Sequence, residues 1–346
     1  MICHNFSFLC PVFVGTFYLL LFWGKNMDRR EFIKTSAIAA STAFLSNKLA
    51  NTMSYGGNSM SKLHKNSLGK TDRKLSIIGF GGIVVMNADP AVAAKAVADA
   101  YEKGINYFDV APSYGDAEIK LGPALKPYRD NIFLACKTAI RDKAGAKQEL
   151  DNSLKHLETD HLDLYQLHAL TDVEKDVKAA MAKDGAIQTF LEAKKAGIIK
   201  YIGFSAHSPQ AALVAMNEFD FDTILYPINF CTHFHSHFED EVLKVAKKKK
   251  MGILALKAMA LQKWQNDEGK RKEYGKCWYE PIDDPKLAKL ALSWTLSQGV
   301  TSALPPGDEK LFRLALELAP GCKKPTKSEL TELETTAKSL QPILPG

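Results

Sequence analysis

From about position 70 onward the chain alternates two patterns. Short apolar runs are followed by longer segments in which apolar residues return every three or four positions. In "LSIIGFGG" (75–82) hydrophobic side chains crowd together as in a buried strand. The next segment, "DPAVAAKAVADAYEKG", repeats Val92, Ala96 and Ala100 at helical spacing behind an Asp89-Pro90 helix start. The same pairing recurs in "INYFDV" with "AEIKLGPALKPY", "NIFLACKT" with "GAKQELDNSLKHLET", and "HLDLYQLH" with the long segment from Asp172 to Gly197. It continues through "IKYIGFSAH" with "SPQAALVAMNEF" and "FDTILYPIN" with "FEDEVLKVAKKKK". The last two pairs are "GILALKAM" with "DPKLAKLALSWTLSQ" and "VTSALPPG" with "DEKLFRLALELA".

Eight strand-helix units predict a single (β/α)8 TIM barrel of class α/β over residues 70–346, with its working groups at the C-terminal ends of the strands. The rival is an open doubly wound sheet. No G-x-G-x-x-G follows the first strand, and "GFGGIVV" reads as a tight turn.

The pattern ahead of the barrel differs. Residues 6–23, "FSFLCPVFVGTFYLLLFW", carry no charge and approach the ~20 residues of a bilayer span. Met27 then opens "MDRREFIKTSAIAASTAFL", in which Arg29 and Arg30 precede a mildly apolar stretch from Thr35 to Leu45. This resembles a twin-arginine export signal over 27–50. On this reading Met27 is the start, residues 1–26 are upstream sequence, and the chain meets bacterial export machinery on its way to the periplasm. The alternative keeps 6–23 as a membrane tether. Residues 51–69, rich in Ser, Asn, Gly and Lys, read as a linker.

Composition changes little. At 46% hydrophobic and 24% charged the chain has a packed core. The excess of 45 basic over 39 acidic residues is partly local, as in the Lys247–Lys250 run at a helix end, and no nucleic-acid motif accompanies it. The cysteines at 3, 10, 136, 231, 277 and 322 lack CxxC spacing, which argues against structural zinc and iron-sulfur clusters.

Chemistry gathers at the strand ends. Asp109 ends the second strand, Lys137 the third, His168 the fourth, and Tyr114 sits on the loop after the second. A lysine ammonium beside a tyrosine favours phenolate, so Tyr114 is expected to have a lowered pKa, with Asp109 holding Lys137 charged and aimed. Tyr114 then passes a proton to a carbonyl oxygen, and His168 orients that oxygen for hydride attack. Hydride is beyond protein side chains, which implies a nicotinamide.

Through "DVAPSYG", "LACKTA", "LDLYQLHAL", "IKYIGFSAH" and "LPPG", the sequence resembles the aldo-keto reductases across roughly Ser67 to Leu318. The resemblance implies a catalytic tetrad of Asp109, Tyr114, Lys137 and His168, and NADP(H), with NAD(H) as the alternative, lying across the mouth of the barrel. It implies a small carbonyl or sugar substrate. It also places Ser205 and Asn229 against the nicotinamide amide, and Lys257 near the cofactor phosphates. "LPPGDEKLFR" ends the eighth strand and opens a helix whose first N–H groups, with Pro306 and Gly307, suit a phosphate. Lys310 and Arg313 there either neutralise a 2'-phosphate or are ordinary surface cations. Two positions depart from the family pattern: Ala206 stands where Asn usually follows the serine, and Val110 where Thr is common.

Two features remain. In "CTHFHSHFED" an extended backbone would point His233, His235 and His237 one way, as a metal site requires, whereas a helix would scatter them. The loop 261–284 carries Trp264, Tyr274, Trp278 and Tyr279, and packing onto the barrel is expected of Trp278 at least. The leading function is carbonyl reduction or alcohol oxidation. A catalytically silent nicotinamide-binding scaffold and an exported metal-binding protein are the other classes.

Overall fold

The computed structural model of the chain describes residues 63–344. The apolar run 6–23 and the Arg29-Arg30 signal lie outside them. Among the described residues no helix is long and apolar enough to cross a membrane.

Eight parallel strands pair in chain order: β1 (Phe80–Gly81), β2 (Tyr107–Asp109), β3 (Phe133–Thr138), β4 (Leu162–Leu170), β5 (Ile199–Ala206), β6 (Thr223–Pro227), β7 (Gly252–Leu256) and β8 (Ser302–Leu304). The circle closes just below β1. The Ala303 N–H donates to the Ile77 carbonyl at 2.9 Å, and the Gly79 N–H donates to the Ala303 carbonyl at 3.0 Å. Helices α1 (Pro90–Glu102), α2 (Ala117–Leu125), α3 (Lys143–His156), α4 (Ala186–Lys195), α5 (Pro209–Glu218), α6 (Asp240–Lys248), α7 (Pro285–Ser297) and α8 (Glu309–Leu318) ring the outside. Several begin where the sequence places a cap: Ser208 accepts from the Ala211 N–H at 3.2 Å and Asp284 from the Leu287 N–H at 2.8 Å.

The run 75–82 is not one strand. Lys74–Ser76 pairs antiparallel with Lys65–Ser67, within the stretch read as linker, and only Phe80–Gly81 enters the barrel wall. The hairpin closes the barrel floor. Leu68 and Leu75 are fully buried and pack among Tyr107, Phe133, Leu164, Leu225 and Leu254 inside the barrel. Each such leucine contributes about 1.5–3 kcal/mol by leaving water. The fit is tight at the turn. Gly69 adopts φ +54°, and a Cβ there would stand 2.3 Å from the Gly252 nitrogen.

A second apolar layer fills the space between strands and helices. Period-two alternation along the strands sorts the two layers. On β2 Tyr107 and Asp109 face inward, on β3 Phe133, Ala135 and Lys137, and on β4 Leu164, Gln166 and His168. Apolar side chains thus fill the lower barrel, and the polar ones stack above them toward the mouth.

Candidate active site

Asp109, Tyr114, Lys137 and His168 meet in one cavity of about 210 Å³ at the C-terminal mouth of the barrel. The Lys137 ammonium, fully buried, is paired with the Asp109 carboxylate and donates to the Val110 carbonyl at 3.0 Å. It lies 5.1 Å from the centre of the Tyr114 ring. The Tyr114 and His168 rings meet edge to face with centroids 5.8 Å apart.

Asp109 is fixed from below by residues that the sequence did not single out. The Tyr107 hydroxyl donates to its carboxylate at 3.0 Å and the Gln166 amide at 3.2 Å. Both stand two positions before a site residue on the same strand, so inward alternation was the signal that could have found them. His168 is held by its backbone. Arg141, ion-paired with Asp176, donates to the His168 carbonyl at 2.7 Å. Ala169 turns into the left-handed region at φ +54°, and its N–H donates to Ser205 Oγ at 2.7 Å.

Electrostatics revise one expectation. The Tyr114 pKa is raised rather than lowered, because burial outweighs the Lys137 charge and Asp109 pushes the same way as burial. Burial also opposes the Lys137 charge, but Asp109 and Tyr114 together keep it above the ordinary lysine range. His168 is pushed down to about 3 by burial and then by Lys137, and His207 to about 4 by burial and then by Lys257. Both rings are therefore neutral near pH 7.

The expected cofactor residues divide. Ser205, Lys257 and Gly307 line the cavity, together with His207. Lys257 has a left-handed backbone, φ +69°, and its ammonium stands 4.9 Å from the ring centres of both Trp278 and Tyr279. Burial lowers it to about 8. Lys276, which the sequence reading missed, lines the same cavity and donates to the Val84 carbonyl at 2.8 Å, joining the loop after β7 to that after β1. No pattern around "GKCWYE" marked it in advance.

The others do not reach the cavity. Asn229 is buried with its amide bound to backbone at 232, 257 and 260. Pro306 is buried beside the cavity rather than lining it. Lys310 pairs with Glu273 at 2.8 Å, and Arg313 with Glu309 at 2.8 Å and Asp99 at 3.3 Å. The first N–H groups of α8 are also taken, since Asp308 accepts from Lys310 N at 2.9 Å and Leu311 N at 3.3 Å. A carboxylate therefore occupies the helix start where a phosphate was expected.

Two further readings change. Trp278 is not packed away; it is 54% exposed at the cavity rim, while Tyr274 and Tyr279 are buried. The three histidines do not point one way. Residues 230–236 are helical, and His235 donates away from the others to the Ala337 carbonyl at 2.8 Å.

The residues fit a nicotinamide dinucleotide in chemistry. Gly81 has no side chain, and a Cβ there would meet nothing within 4 Å, which leaves open space at the wall. A Cβ on Gly307 would strike Ile83 at 2.3 Å, so its absence lets the β8 and β1 loops close together. Lys257 and Lys276 bring two cationic side chains to the cavity wall.

Known proteins agree with the architecture. The sequence profile described as "Aldo/keto reductase family" matches residues 78–310. An uncharacterized oxidoreductase of Bacillus subtilis, YqkF, is 34% identical over 42% of this chain and 50% of its own length. The aldo-keto reductase YhdN of the same organism is 30% identical over 54% of this chain and 60% of its own. The chain thus aligns with about half the length of these relatives. The holo structure of an aldo-keto reductase from Bacillus halodurans superposes with a TM-score of 0.64 at 24% identity, covering 81% of this chain and 98% of that one.

Proposed function

The chain belongs to the aldo/keto reductase family, and from that premise we propose that it reduces an aldehyde or ketone with a nicotinamide dinucleotide, or oxidises the corresponding alcohol. One observation carries the reading: a buried Asp109–Lys137 pair lies beside Tyr114 and a neutral His168 in a single cavity. A bound nicotinamide supplies the hydride. On this reading Ser205 and His207 hold its ring end and Lys257 and Lys276 its phosphates, which is supported by all four lining the one cavity.

Tyr114 is kept protonated by burial, which suits a group that must give a proton. It donates to the carbonyl oxygen as negative charge develops there, and the Lys137 ammonium stabilises the phenolate left behind. His168 offers a ring N–H to the same oxygen and orients it without ceding the proton. Asp109, gripped by Tyr107 and Gln166, keeps Lys137 in place.

The test is turnover of a panel of aldehydes with NADPH and NADH. Tyr114→Phe should lose on the order of 10²–10⁴ in kcat and keep its nucleotide affinity. Full activity in Tyr114→Phe would remove the phenol from the mechanism. Tight nucleotide binding by the natural chain with no turnover of any carbonyl would favour a silent binding protein.

We infer further that the chain is exported, on the Arg29-Arg30 pair and the apolar stretch behind it. Replacing both arginines by lysine should leave the full chain in the cytoplasm of its bacterial host; unchanged export would end this inference.

A further inference from the structure

We propose that His233, His237 and Asp240, with Glu239 against the His233 ring, form a binding site for a divalent transition metal, with zinc as the ion that fits, at the seam between helix Phe230–Ser236 and α6. The site lies outside the barrel mouth and is independent of the catalytic reading.

The histidines that converge are four residues apart, so the helix sets them on one face one turn apart. His235, two positions on, leaves the cluster for the Ala337 carbonyl. The helix ends at His237 in the left-handed region, φ 51°, and this turn brings the first residues of α6 back against it. The carboxylates of Glu239 and Asp240 then face the two imidazoles.

The spacing is that of a metal site. One ligand atom each from His233, His237 and Asp240 falls within 4.8 Å of the others. His233 Nδ1 lies 2.6 Å from Glu239 Oε1 and 3.6 Å from Asp240 Oδ1, and His237 Nδ1 lies 3.0 Å from Asp240 Oδ2. Tetrahedral zinc with bonds of ~2.0–2.1 Å holds its ligands about 3.3 Å apart, a value bracketed by the two distances from Asp240 to the histidines. Two imidazoles and one carboxylate are ligands of the right hardness for zinc, with water to complete the tetrahedron. The metal would take the place of the proton that His233 shares with Glu239, and that proton leaves to solvent.

Rigidity differs across the set in a useful way. Glu239 is buried and the His233 ring packs against Trp294 at 5.0 Å between centroids, so one half is preset. The side chains of His237 and Asp240 are 65% and 52% exposed, free to adjust to an arriving ion. Bound metal would staple the helix end to the start of α6.

The test is titration of the chelator-stripped full chain with Zn²⁺, read by calorimetry and by thermal unfolding. One ion should bind per chain and raise Tm. His237→Ala and Asp240→Asn, both at exposed positions, should each weaken binding by about tenfold or more, while His235→Ala should leave it nearly unchanged. Absence of saturable one-to-one binding, or undiminished affinity in His237→Ala and Asp240→Asn, would overturn the proposal.

Discussion

Asn229 and Lys257 are joined at the back of the cavity. The Asn229 amide donates to the Lys257 carbonyl at 3.0 Å and to the Ala260 carbonyl at 2.7 Å, while its oxygen accepts from the Thr232 N–H at 3.0 Å. A residue expected to touch the nicotinamide instead holds the strained backbone from which a cavity lysine projects.

Asn229→Ala should therefore act through the fold. It takes the side-chain donor from the Ala260 carbonyl and the acceptor from the Thr232 N–H, which costs roughly 1–3 kcal/mol, and it loosens the Lys257 carbonyl, which keeps only the Ala260 N–H at 3.0 Å. Urea unfolding should show the loss, and nucleotide binding should weaken with it. Weakened nucleotide binding at undiminished stability would mean that Asn229 meets the ligand directly.

Lys257 predicts a pH dependence. Its ammonium, lowered to about 8 by burial, has no carboxylate partner among the described residues. Nucleotide affinity should fall as pH rises through about 8, and Lys257→Met should flatten that profile. Stability moves the other way. Below pH 8 folded and unfolded chains both carry the proton, and between about 8 and the ordinary 10.5 only the unfolded chain keeps it, so this group's burden on the fold lightens as pH rises. A pH-independent affinity in the natural chain would exclude Lys257 from the phosphate side.

Beneath the cavity, the grip on Asp109 should be graded. Asp109→Asn strands the Lys137 ammonium in the interior, at about 3–5 kcal/mol. Tyr107→Phe removes one donor to the charged Asp109 carboxylate and should cost less, about 1.5–3 kcal/mol, with a fall in kcat larger than this loss of stability alone would produce. Equal unfolding midpoints for the two variants would show that the buried pair is not the dominant interaction.

The barrel was legible because burial alternates with period two on strands and near 3.6 on helices, and eight repeats of that contrast admit few folds. Asp109, Tyr114, Lys137 and His168 were legible because strand ends converge at one mouth. Charge was read less well. Lys310 and Arg313 are cationic in sequence, but whether such a group meets ligand or carboxylate depends on Glu273, Glu309 and Asp99, which lie far away in the chain. The Tyr114 pKa failed for a related reason. Its neighbour Lys137 was visible in sequence, whereas the desolvation that outweighs it is a property of the assembled cavity.

The hairpin beneath the barrel sets a practical limit on shortening the chain. A version begun at β1 would lose Leu68 and Leu75 and expose Tyr107, Phe133 and Leu164 to water from below. Tyr107 is also the residue that steadies Asp109, so a cut made more than twenty residues upstream of the site would unsettle its acid-base chemistry through the basement of the molecule.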